Sequence, residues 1–424
     1  MSTKTDLDSV NNMKEQLGYR YRIYPDARQA RLFRMTVGCC RLVYNLCLEQ
    51  RSMAYAMPSR HRLSSFDQIK ELPGLKAELP FLREVPNHCL QQAVVDLDRA
   101  YKNFFKGHSR HPKARRKFQN ESFRFPDPKQ IRFEDGFVVL PKAGRVKIVL
   151  HRPFLGKVKN VTVSADGDHW YASVQTEREV ADLPDVFGLP DLVELGGDIG
   201  VVNALALSDG TIFDLPRTSD REKRKEANLH RIISRRKKGS RNRLRAQRDL
   251  RRFQARIVRR RRDAKHKMTT AVVRRCDVLY LEDLRIKNMT ASARGTVEEP
   301  GTNVAQKAGL NRSILDVSPG GTRLQFEYKM RRKGGAVLLV NPARTSQRCA
   351  ECGHVDPLNR VDRDRFECVK CGHAACADHN ASRNILYLGR KAPTGGLPGL
   401  ACESSLAGGR KQEVEGSGNV AQAA

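Results

Sequence analysis

Residues 344–385 carry the most specific pattern in the chain and read RTSQRCAECGHVDPLNRVDRDRFECVKCGHAACADHNASRNI. Two Cys-x2-Cys pairs lie in this stretch, with fifteen residues between them. Each pair turns two thiolates toward one ion, and four thiolates satisfy tetrahedral zinc without leaving a position for substrate. The spacing therefore predicts one structural Zn2+, the alternative being four unrelated buried cysteines. The predicted ligands are Cys349, Cys352, Cys368 and Cys371.

Three carboxylates at the ends of predicted elements form a second candidate site. Asp198 lies in the stretch GGDIG, Glu282 ends the predicted strand 278–281, and Asp378 opens a predicted helix that runs through Leu388. Acids from separate elements can converge on two Mg2+ or Mn2+ ions, one activating water and one stabilising the leaving oxygen of a phosphodiester. The glycines beside Asp198 are expected to let phosphate approach the backbone. Taken singly, the acids could instead be a turn residue, a surface acid and a helix N-cap.

Charge indicates a polyanionic partner. The 424 residues include 78 Lys and Arg against 47 Asp and Glu, a net charge of +31. Residues 217–275 hold 25 of these basic residues and only 5 acids, whereas a merely solvated face usually carries more compensating acids. This segment is expected to hold nucleic acid by its phosphates, beside Asp198, with Leu250, Phe253 and Ile257 packed against the core of the domain that carries Asp198. The predicted phosphate contacts are Arg235, Arg236, Lys237, Lys238, Arg241 and Arg243.

The remaining pattern predicts an α+β chain of several domains. A strand at 19–25 and strands between 122 and 178 are expected to form one β-barrel, interrupted by helices at 27–55 and 87–105. Residues 291–310 are predicted to be a mobile loop, and residues 1–16 and 389–424 disordered tails. No apolar run reaches membrane-spanning length, and the polar N-terminus lacks a signal peptide. A cytosolic protein without a small-molecule substrate is expected.

The order of motifs resembles the TnpB family of insertion-sequence proteins, and it is similar to the nuclease core of compact type V CRISPR effectors. The resemblance rests on GGDIG, on YLEDLRIKNM and on the cysteine-rich block above, and it covers roughly residues 17–390. It extends to YRIYPDARQARLFRMTVGCCRLVYNLCLEQ, LQQAVVDLDRAYKNFF and the basic helix near 239–275.

The resemblance implies the following domains. A β-barrel wedge would comprise 17–26 and 122–185, with a helical recognition insertion at 27–121. An RNase H-like, RuvC-type nuclease would occupy 190–388 and carry a zinc ribbon at 345–375. Asp198, Glu282 and Asp378 would be its first, second and third metal ligands.

The implied activity is cleavage of double-stranded DNA chosen by a guide RNA from the element's own end. Protein would read a short motif beside the target, and base pairing would read the rest. Gln91, on the second helix, has the paired donor and acceptor suited to a base edge, although ordinary helix surface is an alternative for it. Arg344 and Gln347, ahead of the zinc knuckle, are further candidates for contact with nucleic acid.

Three rival functions remain open at this stage. A small CRISPR effector would use guides from a repeat array instead of the element's end. A DNA-binding repressor without cleavage is disfavoured by the three acids. A strand-joining transposase is disfavoured because the chain lacks the His pair and nucleophilic Tyr that single-strand transposases of such elements use.

Overall fold

The computed structural model of the chain describes residues 12–59, 61–181, 186–188, 190–296 and 298–391. Contacts divide the chain into two compact units. The first unit is Met1–Pro184 with Arg217–Arg262, and the second is Asp185–Pro216 with Asp263–Ala424. None of the helices in the described ranges is long and apolar enough to cross a membrane.

Seven antiparallel strands of the first unit form one sheet, in the order β2-β6-β7-β1-β5-β4-β3. They are β1 Asn12–Tyr24, β2 Ser122–Phe125, β3 Arg132–Glu134, β4 Phe137–Leu140, β5 Gly144–Val149, β6 Lys157–Asp166 and β7 His169–Ala181. Alternation along β1 buries Leu17, Tyr19, Tyr21 and Ile23 in one core. The first strand thus pairs with the later strands, as the sequence predicts.

Strand β1 begins earlier than predicted. Residues 12–16, assigned above to a disordered tail, pair with β7, for example Asn12 with Ala181 and Gln16 with Glu177. Pairing with β7 satisfies the backbone hydrogen-bonding groups of these residues, although their polar side chains alone suggested a solvated, disordered segment. At the other end the last helix reaches Lys391, so residues 389–391 are helical. Residues 1–11 and 392–424 lie outside the described ranges.

Four helices separate β1 from β2: α1 Ala27–Ala56, α2 Ser65–Lys70, α3 Leu72–Glu78 and α4 Asn87–Phe105. Asp26 caps α1, accepting a hydrogen bond from the backbone N–H of Gln29. The Gln29 amide in turn donates to the carbonyl oxygens of Ala143 (3.1 Å) and Arg145 (2.9 Å). The helices and the sheet share one core, so the predicted insertion folds together with the sheet.

The basic segment forms α5 Asp220–Ser234 and α6 Arg241–Val273. Its residues 217–262 group with the first unit, and not with the nuclease fold to which the sequence analysis assigned them. Ion pairs explain the difference, because Asp166 and Asp168 at the β6–β7 turn pair with Arg259 and Arg252. Leu250, Phe253 and Ile257 are buried as expected, but within this first unit.

The second unit is built on a five-stranded sheet in the order β10-β9-β8-β11-β12. Its strands are β8 Glu194–Asp198, β9 Leu205–Leu207, β10 Ile212–Phe213, β11 Val278–Glu282 and β12 Ala336–Val340. Strands β8, β9 and β10 form an antiparallel meander, and β11 and β12 extend it in parallel to β8. This is the RNase H-like nuclease fold that the sequence predicts.

Helices cover both faces of this sheet. The α-helices of this unit after β11 are α7 Ile286–Met289, α8 Val304–Val317, α9 Pro319–Lys333 and α10 Ala377–Lys391. Leu279 and Leu281 pack with the end of α6 and with α9, whereas Val278 and Tyr280 pack with α10. The zinc region adds β13 Arg365–Glu367 and β14 Ala374–Cys376.

Helix α8 corrects one prediction. The sequence analysis assigned residues 291–310 to a mobile loop, but α8 begins at Val304. Lys307 and Asn311 anchor it by donating to the carbonyl oxygens of Met289 (2.7 Å) and Thr290 (3.0 Å). These contacts join α8 to residues before 291, and the composition of residues 291–310, which suggested a loop, does not reveal them.

Candidate active site and zinc knuckle

Two of the predicted acids end neighbouring parallel strands. Leu281 of β11 lies opposite Gly197 of β8, so the next residues, Glu282 and Asp198, end these strands at the same edge of the sheet. The residues before them, 195–197 and 278–281, are buried, and both acids are only partly accessible. The carboxyl ends of parallel strands are a usual place for a site in sheets of this kind.

Packing of α10 against β8 requires glycine at position 196. A β-carbon there would lie 2.2 Å from the carbonyl oxygen of Ser382 and 2.7 Å from the backbone nitrogen of Leu386. The expected role of the glycines in admitting phosphate is therefore wrong for Gly196 and Gly197, which are buried. Gly196 instead lets a helix cross the strand, and this helix carries Asp378 in its first turn.

The β8–β9 loop fixes the third acid. Asn203 Nδ2 donates to Asp378 Oδ2 at 2.9 Å. A β-carbon on Gly200 would lie 3.9 Å from the same carboxylate oxygen. Asp378 therefore sits against the loop that leaves β8 immediately after Asp198.

Electrostatics show how closely the acids interact. The pKa of Asp198 is raised from 3.8 to about 7, first by burial and then by the negative charges of Glu282 and Asp378, with Arg360 opposing the rise. Burial also raises the pKa of Glu282, against a hydrogen bond from Thr345. Neighbouring carboxylates that oppose each other's ionisation favour a bound cation.

The donor set fits Mg2+ or Mn2+, which prefer carboxylate oxygens. The acids are less tightly grouped than the cysteines. Across the described ranges, the only group of three or more possible ligands whose atoms all lie within 4.8 Å of one another is the cysteine group.

The four predicted zinc ligands converge. The Sγ atoms of Cys349 and Cys371 are 3.7 Å apart, and those of Cys352 and Cys368 are 3.6 Å apart. Tetrahedral coordination with Zn–S bonds of about 2.3 Å places sulfurs about 3.8 Å from one another. The cluster therefore matches one structural zinc with four thiolate ligands.

The two knuckles repeat one backbone pattern. Cys349 N–H donates to the carbonyl of His354 at 2.8 Å, and Cys368 N–H donates to that of His373 at 2.9 Å. Gly353 and Gly372 close the turns with φ of 74° and 73°, a conformation that favours glycine. The position after the second cysteine of each pair therefore favours glycine.

Three family models match the chain: "Helix-turn-helix domain" over residues 13–59, "Probable transposase" over 190–293 and "Cas12f1-like, TNB domain" over 321–385. In the structure the described residues of 13–59 form strand β1 and the single helix α1, not a helix-turn-helix. The third match contains the zinc cysteines and Asp378.

A protein of Escherichia coli K12 described as "Putative RNA-guided DNA endonuclease InsQ" is 38% identical over 407 residues, covering 95% of this chain and 98% of that protein. The chain belongs to the TnpB family. A "Putative RNA-guided DNA endonuclease" of Streptomyces pristinaespiralis is 29% identical, with 95% of each chain covered. A Cas12f1 chain in complex with sgRNA and target DNA aligns at a TM-score of 0.49 and 12% identity, covering 88% of this chain and 99% of that one.

In this TnpB-family chain the six predicted phosphate contacts divide into two groups. Arg235, Lys237, Lys238 and Arg241 are exposed around the α5–α6 turn. Arg243 instead donates to the carbonyls of Ile233 (2.7 Å) and Arg236 (2.9 Å), which closes the C-terminal end of α5. Arg236 donates to the carbonyl of Asn242 at 2.6 Å. Two of the six thus shape the turn that presents the other four.

The remaining nucleic-acid candidates belong to other elements. Gln91 is half-buried on α4, and so less available than the exposed surface assumed from the sequence. Arg344 is exposed and adopts φ of 63°, while Gln347 is half-buried and its backbone N–H donates to the Arg344 carbonyl at 3.1 Å. Both belong to the turn that leads from β12 into the zinc knuckle.

Sequence reasoning missed the residues that support the acids. They are Asn203 at Asp378, Thr345 at Glu282, and Arg360, whose charge acts on Asp198. It also missed Asn380 and Asn384, which are almost fully buried on α10. Polar residues four apart in DHNASRNI are a signal for these two, because i and i+4 positions share a helix face. No local pattern marks the other three.

Proposed function

We propose that this chain is an RNA-guided DNA endonuclease of a transposable element. It would cleave double-stranded target DNA beside a short motif read by protein, using a guide RNA from the element's own end. The observation that carries the proposal is the placement of Asp198, Glu282 and Asp378 around one edge of an RNase H-like sheet, where their charges oppose one another. Family membership and the names of the relatives agree with it.

Each acid has a stated role in this proposal. Asp198, whose charged form is penalised by burial and by the neighbouring acids, would be stabilised by two bound Mg2+ or Mn2+ ions. Glu282 would hold them from the neighbouring strand, and Asp378 from α10. When bound, the ions supply activation of water and stabilisation of the leaving oxygen. Arg360 brings a positive charge near Asp198, which suits a phosphate approaching the acids.

Basic residues would hold the nucleic acid by charge and not by sequence. Arg235, Lys237, Lys238 and Arg241 are exposed on a turn that Arg243 and its hydrogen bonds keep in shape. Phosphates of the guide RNA or of the RNA–DNA heteroduplex are the proposed partners. The flanking DNA motif would be read by α1, α4 and the nearby strands of the first unit.

A compact type V CRISPR effector is the second candidate, favoured by the "Cas12f1-like, TNB domain" match over residues 321–385. The two candidates use the same chemistry and differ in the source of the guide. Sequencing the RNA that purifies with the chain separates them. RNA from the element's end supports the first, and RNA from a repeat array supports the second.

Cleavage itself is tested with a plasmid that carries a guide-matched target next to randomised flanking DNA. The wild type should linearise a subset of plasmids defined by one short motif. Asp378→Ala should bind the same targets without cutting them, whereas Asp191→Ala, at an exposed acid ahead of β8, should cut normally. Absence of guided cutting by the wild type under Mg2+ and Mn2+ would refute the proposal.

A further inference from the structure

A buried hydroxyl touches one of the proposed metal-binding acids. Thr345 is 3% exposed, and its Oγ1 lies 2.6 Å from Glu282 Oε1. The same oxygen is 3.1 Å from the carbonyl of Pro342. A hydroxyl has one proton to donate, and the shorter distance favours the charged carboxylate as its acceptor.

The chain reaches this position by a turn after β12. Val340, the last residue of β12, pairs with Glu282 at the end of β11. The Asn341 side chain then accepts from Ala343 N–H at 3.0 Å, and Arg344 takes a left-handed φ of 63°. The turn brings Thr345 back alongside the edge where Glu282 ends.

Two asparagines of α10 hold the same segment on its other side. Asn384 Nδ2 donates to the carbonyls of Thr345 (3.0 Å) and Arg348 (2.6 Å). Asn380 donates to the Arg348 carbonyl at 2.8 Å and accepts from Ala350 N–H at 2.9 Å. The residues on both sides of the zinc ligand Cys349 are therefore tied to the helix that carries Asp378.

We infer that Thr345 is a positioning residue for Glu282: its hydroxyl holds Oε1 and thereby leaves Oε2 as the oxygen for a divalent ion. The inference rests on the proposed function, since it assigns Glu282 to the metal site. Carboxylate ligands are commonly fixed by such hydrogen bonds, and loss of one costs about 10–100-fold in metal affinity or activity. Through Asn384, the zinc knuckle helps to keep Thr345 in place.

The chemistry of the side chain allows a clean perturbation. Thr345→Val keeps the shape and removes the hydroxyl, whereas Thr345→Ser keeps the hydroxyl and removes a methyl group. Thr322→Val is a matched control, because Thr322 is also fully buried in the second unit but its hydroxyl donates to the carbonyl of Ser318, the residue that precedes its own helix α9. Denaturation of each variant reports any general loss of stability.

The test measures metal binding separately from cleavage. Free Mn2+ is followed by electron paramagnetic resonance in titrations of the full-length protein, and the difference between wild type and Asp198→Asn defines binding at the acids. Thr345→Val should weaken this binding about 10–100-fold and lower kcat similarly, without changing affinity for target DNA. Thr345→Ser and Thr322→Val should stay within about threefold of wild type, a margin well below that range.

The outcomes separate this inference from the proposed function. Wild-type Mn2+ affinity in Thr345→Val overturns the inference, and so does an equal loss in Thr345→Ser, which would mean that the side chain acts by packing. A wild type with no more Mn2+ than Asp198→Asn overturns it too. If the wild type binds Mn2+ but never cuts guide-matched DNA, the proposed function fails. The Mn2+ affinities of Thr345→Val and Thr345→Ser still decide the role of Thr345 in that case.

Discussion

Replacing Asp198 by Asn should stabilise the metal-free protein while abolishing cleavage. Asn keeps the shape of the side chain but carries no charge. The pKa of Asp198 is raised from 3.8 to about 7, because burial, Glu282 and Asp378 all penalise its ionised form. At neutral pH the folded wild type is therefore destabilised by a buried charge that the variant lacks.

The sign of the effect sets a pH window. For an acid whose pKa is raised in the folded state, the favourable contribution is complete below the unfolded pKa of about 4 and is lost as the pH rises toward about 7. One pKa unit corresponds to about 1.36 kcal/mol, so about two units between pH 5 and pH 7 give roughly 2–3 kcal/mol as an upper figure. Partial access of solvent to the side chain reduces it.

The assay is urea unfolding in metal-depleted buffer without a chelator, so that zinc stays bound. The stability of Asp198→Asn relative to wild type should rise between about pH 5 and pH 8, by up to the amount above. Added Mg2+ should stabilise the wild type at the higher pH and leave the variant unchanged. Asp191→Asn, at an exposed acid, is the control and should show neither effect. A stability difference independent of pH would refute the buried carboxylate cluster.

Three further predictions follow from the packing and the charges. Cys368→Ser should lower bound zinc, measured by elemental analysis, from about one equivalent per chain to less than about half. It should also reduce cleavage, because loss of the ion disturbs the segment next to Glu282. Unchanged zinc content would contradict the four-cysteine site. Gly196→Ala should destabilise the second unit by about 1–3 kcal/mol or more in urea unfolding. The reason is that a β-carbon at this position would lie 2.2 Å from the Ser382 carbonyl oxygen. Wild-type stability of the variant would show that α10 does not pack against β8 at Gly196. Neutralising the exposed basic residues of the α5–α6 turn should lower the affinity for guide RNAs of unrelated sequence equally. It should also flatten the slope of log affinity against log salt concentration by about 0.7–0.9 per lost phosphate contact. A loss of affinity confined to some guide sequences would exclude recognition through phosphates. The residues to neutralise are Arg235, Lys237 and Lys238, with Arg243→Ala as a comparison that should lower stability instead.

Several features were readable from local sequence because local physics decides them. Two Cys-x2-Cys turns bring sulfurs together whatever surrounds them, and the four Sγ atoms do converge. Helices α1 and α4 begin at Ala27 and Asn87, where the apolar spacing of the sequence predicts them. The length of β1, the central strand of the first sheet, was underestimated, because residues 12–16 are held by β7, which lies far away in sequence.

The sequence by itself determined the residue types of this protein's chemistry: a four-thiolate zinc site, three acids at the ends of elements, and an excess of positive charge in one segment. Tertiary structure alone decided which of them act on each other. The pKa of Asp198 is raised by burial in the folded chain and then by Glu282 and Asp378 from distant parts of the sequence. The hydrogen bond from Thr345 to Glu282 depends on the turn after β12 and on the asparagines of α10. Hydrogen bonds and charges act over a few ångströms of space, and a linear pattern carries no record of that distance.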